Sequence, residues 1–157
     1  MQKITPFLWF DTQAEEAAKF YTSIFKNSRI TSVHHFGDNT PGPIKNVSMV
    51  TFQLEGLEFM ALNGGPMYKF SQAISLYVDC QTQAEIDELW DKLTDGGEIQ
   101  QCGWLIDKFG ITWQIVPTVL GELMNSKDPA VSRRVMEAML KMIKLDIAEL
   151  QKAAKQA

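Results

Sequence analysis

Two kinds of periodicity alternate along this chain, and their order repeats. Ile4 to Phe10 reads as a strand. Thr12-Gln13-Ala14-Glu15 follows as a capping box, the Thr12 hydroxyl accepting from the Glu15 amide while the Glu15 carboxylate reaches back. A helix to about Phe25 comes next, with Ala17, Phe20, Tyr21, Ile24 and Phe25 on one apolar face. Asn27-Ser28 breaks it before a strand over about Arg29 to Phe36. The turn formers from Gly37 to Pro43 predict an exposed loop. Strands over about Asn46 to Leu54 and Leu57 to Leu62 meet at Glu55-Gly56 as a tight hairpin, and Asn63-Gly64-Gly65-Pro66 closes the first half. The pattern then begins again, with a strand over Ala73 to Val78, a second capping box at Thr82-Gln83-Ala84-Glu85, and a helix to about Thr94. Asp95-Gly96-Gly97 supplies the glycine that ends that helix, and a strand over Glu98 to Gln101 follows.

The second unit closes on the stretch from Cys102 to Pro117. Two β-rich runs flank Asp107-Lys108-Phe109-Gly110, which predicts a hairpin with a short loop, and Pro117 ends its second strand because it cannot donate to a ladder. Along that strand Ile111, Trp113 and Ile115 alternate with Thr112, Gln114 and Val116, giving one apolar face and one mixed face. The chain is therefore β-α-β-β-β written twice, an α+β pattern, with TQAE at both helix starts. One domain over 1–157 is expected, with modules at 1–66 and 70–118. The tail at 119–157 reads as helical. Asp128 with Pro129 starts a helix whose Val131, Val135, Ala138, Met139 and Met142 share a face. Asp146 starts another, with Glu149 three residues on and Leu145 stapled to Leu150. These helices are expected to pack on the body or on a partner chain.

Composition narrows the function classes. With 157 residues, 45% hydrophobic and 22% charged, the chain suits an ordinary folded domain. A net charge of −4 with scattered Lys and Arg argues against a nucleic-acid footprint or an anionic membrane surface. No apolar run approaches the roughly 20 residues of a membrane span. Cys80 and Cys102 lie far apart without metal or redox spacing, and the start has no export signal, so a reducing cytoplasm is the expected setting.

A duplicated βαβββ unit resembles the glyoxalase, bleomycin-resistance and extradiol-dioxygenase superfamily, also called vicinal oxygen chelate. Pro6-Phe7-Leu8-Trp9-Phe10-Asp11, Ala14-Glu15-Glu16-Ala17, Phe20-Tyr21 and above all CGWLIDKFGITWQIVP are similar to its PhnB-like branch, labelled demethylubiquinone methyltransferase-like. The resemblance runs over nearly the whole chain, including the late Val135-Met136-Glu137-Ala138-Met139 helix. It implies two half-barrels curled into an open barrel, with helices outside, a cavity inside, and a two-chain assembly. A homodimer is also the commonest closed assembly, and strand edges left by such a barrel are usually paired or covered.

Alternation then sorts the strand faces. Ile74, Leu76 and Val78 should meet the helices, leaving Ala73, Ser75 and Tyr77 for the cavity. By the same rule Thr5, Phe7 and Trp9 face inward, as do Met49, Thr51 and Gln53, then Met60, then Thr112 and Gln114. Trp104 joins this candidate substrate-binding set. The lining is aromatic and apolar with a few hydroxyls and amides, as a small-molecule pocket requires. Metal enzymes of the superfamily carry histidine or glutamate on the first, fourth, fifth and eighth strands. Those positions match Thr5 (or Pro6), Met60, Ala73 and Gln114, none of which offers an imidazole or carboxylate.

His34 and His35, the chain's two histidines, are adjacent on a strand and point to opposite faces. Glu15-Glu16 and Asp87-Glu88 read as solvated helix faces. Ser75 has no nucleophile-elbow context. Neither helix start is glycine-rich, so binding of S-adenosylmethionine in a Rossmann manner is not expected. No metal and no cofactor are predicted. The leading expectation is metal-independent binding of a partly aromatic or apolar small molecule. The alternatives are an enzyme of the demethylubiquinone methyltransferase-like type or a divergent isomerase or lyase, with Tyr77 as the inward group fitted to an acid role, and a partner-binding module built on the tail.

Overall fold

In the first half, the alternation of buried and half-buried positions along Ser48–Leu54 separates the two faces of a sheet. The computed structural model describes residues 2–37, 42, 45 and 47–156. Most of the loop predicted from Gly37 to Pro43 lies outside the described residues. The chain divides into two compact units, Met1–Phe70 and Ser71–Ala157.

The first unit holds β1 (Phe7–Phe10), α1 (Ala14–Ile24), β2 (Arg29–His35), β3 (Ser48–Leu54) and β4 (Leu57–Asn63). Its sheet runs β1-β4-β3-β2, with β1 parallel to β4 and the other pairs antiparallel. Val50, Phe52, Phe59 and Ala61 are buried on one face together with Ala14, Ala17, Ala18 and Tyr21 of α1. Tyr21 stacks on Phe52 at 6.3 Å, and Phe52 on Phe59 at 5.4 Å. Glu55 and Gly56 both take positive φ, the two-residue turn that matches the twist of a hairpin. Ile4 is 86% exposed and precedes β1, against the expectation of a strand from Ile4. The ladder begins only where Pro6 O accepts from Met60 N; before it the Gln2 side-chain amide, rather than a strand backbone, takes the N–H and C=O of Glu58 in β4.

The second unit holds β5 (Ser75–Cys80), α2 (Gln83–Thr94), β6 (Glu98–Ile99), β7 (Trp104–Ile106) and β8 (Thr112–Pro117), then α3 (Thr118–Met124), α4 (Pro129–Leu140) and α5 (Ile147–Lys155). Its sheet runs β5-β8-β7-β6 with β5 parallel to β8. Leu105, Trp113 and Ile115 are buried on the face that also receives Ile86, Leu89, Trp90 and Leu93 of α2. The predicted strand at Ala73–Val78 is shifted to Ser75–Cys80. Ile74, expected against a helix, is 80% exposed ahead of it, because pairing starts at Ser75 with Thr112. Each unit is thus a four-stranded mixed sheet with a helix across one face, and neither sheet closes on itself among the described residues.

The predicted capping boxes part company. Thr82 Oγ1 accepts from Glu85 N at 3.2 Å, and Glu85 Oε2 accepts from Gln81 N at 2.9 Å. At α1 the Thr12 box does not form. Gln13 is the N-cap without a side-chain bond, and Asn63 Oδ1, at the end of β4, accepts from Ala14 N at 2.7 Å. An acceptor brought in by the sheet has taken the place of the local one.

The tail packs on its own unit. Asp128 and Asp146 cap α4 and α5 as expected, and Leu145 and Leu150 are buried. Cys102 N and Gly103 N donate to Met142 O and Ile143 O at 2.9 and 2.8 Å. The Gln83 amide spans the next residues, donating to Leu145 O and accepting from Ile147 N, while Lys144 meets Asp87 at 2.8 Å. Gly103, at φ +82, is required here, since a Cβ would press on Ile115 O at 2.8 Å and on Leu145 at 3.0 Å.

Candidate functional site

The sheet face turned away from each helix carries most of the polar and aromatic groups singled out in the sequence. In the first unit, register places Phe7, Met60, Thr51 and Ser32 in one cross-strand row and Trp9, Leu62, Met49 and His34 in the next. Phe7, Trp9, Met49, Thr51 and Met60 therefore share a face. Thr5 is half-buried and lies ahead of β1, outside the rows. Leu62 was not among the predicted lining, although its spacing of two from Met60 carried the signal. Trp9 is held firmly. Its Nε1 donates to Gly65 O at 2.9 Å, its ring meets Tyr68 edge-on at 5.1 Å, and a Cβ on Gly64 would overlap the indole.

In the second unit one row joins Ser75, Thr112 and Ile106, and the next joins Tyr77, Gln114 and Trp104. Ser75, Tyr77, Trp104, Thr112 and Gln114 share the face away from α2, whereas Ala73, expected with them, is exposed ahead of β5. Gln114 Nε2 donates to Ser75 Oγ at 2.8 Å. Thr112 is only 1% exposed, and its Oγ1 has no hydrogen-bond partner, alone among the buried side-chain polar atoms of the described residues. Tyr77 is 58% exposed. Desolvation around its phenol, then the charge of Asp79, holds its pKa above the ordinary 10.0, so it stays protonated. Cys80, on the opposite face, is buried, and burial followed by the charges of Glu85 and Asp79 pushes its thiol up to about 12. A thiol so protonated is no nucleophile at neutral pH.

The loop before β8 is organised by a residue to which the sequence reading gave no role. Asp107, 3% exposed, accepts from Phe109 N at 2.8 Å and Ile111 N at 3.1 Å through Oδ1, and from Trp113 Nε1 at 2.8 Å through Oδ2. With Gly110 at φ 94, these bonds fix where β8 begins and so which of its residues face outward.

His34 and His35 do point to opposite faces. His35 lies on the α1 side, its Nδ1 3.4 Å from Ser48 Oγ and its Nε2 3.7 Å from Glu15. Lys19, and to a lesser degree His35, hold the Glu15 carboxyl below its usual range. Among the described residues no three of His, Cys, Asp and Glu converge as a metal ion would require.

Residues 2–116 match the family model described as 3-demethylubiquinone-9 3-methyltransferase. The chain belongs to this family. A putative 3-demethylubiquinone-9 3-methyltransferase, PhnB protein, from Bacillus cereus is 40% identical, covers 74% of this chain and 100% of its own, and superposes with a TM-score of 0.69. Two more distant structures share the fold. Protein PA1353 from Pseudomonas aeruginosa is 19% identical over 74% of this chain and 98% of its own, TM-score 0.58. The fosfomycin resistance protein FosX from Listeria monocytogenes, solved with manganese(II) and sulfate, is 18% identical over 72% of this chain and 90% of its own, TM-score 0.51. No curated protein matches.

The family match ends at Val116, ahead of α3, α4 and α5. Thr5 or Pro6, Met60, Ala73 and Gln114 supply one thioether, one amide and at most one hydroxyl, and Ala73 is exposed ahead of β5. A divalent cation needs charged oxygen or imidazole donors. These residues do not fit it.

Proposed function

We propose that this chain binds a small, neutral, partly aromatic molecule on the sheet faces turned away from its helices, without a metal ion held at the family's ligand positions. The observation that carries this reading is the Ser75–Gln114 hydrogen bond, an amide and hydroxyl pair on the face flanked by Tyr77 and Trp104. On its own sheet, the first unit separately carries an apolar face of Phe7, Met49, Met60 and the fixed Trp9 around the Thr51 hydroxyl. Aromatic walls with a few placed polar groups are the usual make-up of a ligand site. The protein is proposed to act as a homodimer in the cytoplasm. Exposed Met136, Leu140 and Ile143 support the first point, and two cysteines without a disulfide support the second.

Nickel, zinc, manganese or iron added to chelator-treated protein should move its melting temperature by less than about 1 °C, whereas a specific ion at a hundred times its Kd would raise it by roughly 5–10 °C. Titration with a panel of neutral aromatic compounds should show saturable heat. Stoichiometric metal with histidine or carboxylate ligands, or silence across the panel, defeats the proposal.

The second reading is an enzyme, favoured by the family's description and by Tyr77 beside Gln114 in the same row. It would use Tyr77 as acid while Gln114, Thr112 and Ser75 orient a carbonyl or phenol. Titration with labelled S-adenosylmethionine separates a methyl transferase, which must bind it, from a binding protein or an isomerase, which need not.

A further inference from the structure

The polar cluster of the second sheet is unfinished in a way that specifies its ligand. Because Gln114 Nε2 donates to Ser75 Oγ at 2.8 Å, the Ser75 hydroxyl keeps its own proton to donate and Gln114 keeps its carbonyl oxygen to accept. Thr112, the register partner of Ser75, adds a hydroxyl that is buried and unpaired, an arrangement that valine in its place would avoid at no loss of volume. The two rows Ser75-Thr112-Ile106 and Tyr77-Gln114-Trp104 contain no charged side chain.

Resting on the small-molecule reading above, we infer that Ser75, Thr112 and Gln114 bind a neutral group presenting an oxygen acceptor beside an O–H or N–H donor, as a carboxamide or a hydroxy ketone does, with its apolar part against Trp104 and Tyr77. Such a group takes the free hydroxyl proton and serves the free amide oxygen at once. A purely apolar ligand would leave the Ser75 hydroxyl proton, the Gln114 carbonyl oxygen and the Thr112 hydroxyl without a partner, and an anion would face the Gln114 carbonyl with no cation in the two rows to offset it.

Benzamide, ethylbenzene and benzoate serve as probes, titrated into the full chain by calorimetry and followed in amide proton–nitrogen spectra. Benzamide should bind at least about tenfold more tightly than either of the others and shift the signals of Trp104, Thr112 and Gln114. Thr112→Val should weaken benzamide about tenfold, leave ethylbenzene unchanged, and not lower the melting temperature, a combination that a purely structural role for the hydroxyl does not produce. Equal binding of benzamide and ethylbenzene, tighter binding of benzoate, or undiminished benzamide binding by the Thr112→Val variant overturns the inference while small-molecule binding stands. If none of the three binds and the wider aromatic panel is also silent, the small-molecule reading itself falls.

Discussion

Asp107 shows how much one side chain decides. Three donors converge on its buried carboxylate, and removing it strands Phe109 N, Ile111 N and Trp113 Nε1 in the interior. Asp107→Ala should therefore destabilise the chain by about 3–5 kcal/mol, read from urea unfolding at constant slope. Asp107→Asn keeps an acceptor for the backbone but turns an N–H toward the Trp113 N–H, and should cost about 2 kcal/mol. Gly64 is the counterpart in the first unit. Gly64→Ala would drive a methyl into the Trp9 ring and break its bond to Gly65 O, with an expected loss of about 1–3 kcal/mol and a shifted tryptophan emission. The Asp and the Gly were both visible in the sequence as turn residues. Their further roles were not, because each depends on an atom brought close only by folding.

Among the elements, the two TQAE starts separate local code from tertiary context. Thr82→Ala removes an observed cap and should cost about 1 kcal/mol, whereas Thr12→Ala should be near neutral, since that hydroxyl caps nothing. Asn63→Ala should carry the cost for α1 instead. The clasp of the tail on α2 should respond to acid. The bonds from Lys144 and then Gln83 hold the Asp87 carboxyl below its ordinary 3.8. Its contribution is complete above that value and fades as pH falls through the lower folded pKa. Protection factors of α5 amides, which correct for the intrinsic slowing of exchange in acid, should fall below about pH 4 in the native protein and change less with pH in the Asp87→Asn variant. Strand ends were the least legible feature. Ile4 and Ile74 carry β-forming side chains, yet the ladders begin only at Phe7 with Met60 and at Ser75 with Thr112.

For the molecule as a whole, assembly is the property to measure first. Met136, Leu140 and Ile143 expose an apolar stripe on the tail, although the tail's other face is spent on its own unit. Light scattering at micromolar concentration should give twice 17.8 kDa, and Leu140→Glu should shift that mass toward the monomer without unfolding the chain. A mass of 17.8 kDa for the unaltered protein would refute the dimer. The sequence by itself determined the repeated order of elements, the division of each strand into two faces and the family, because period-two and helical spacing are local properties that survive into any packing. Tertiary structure decided which acceptor caps α1, where the strands begin, that Gln114 is bonded to Ser75, and that the Thr112 hydroxyl is left without a partner. Those outcomes are distances between residues some 40 to 50 positions apart in the chain, set by strand pairing, and no pattern along the chain encodes a distance across it.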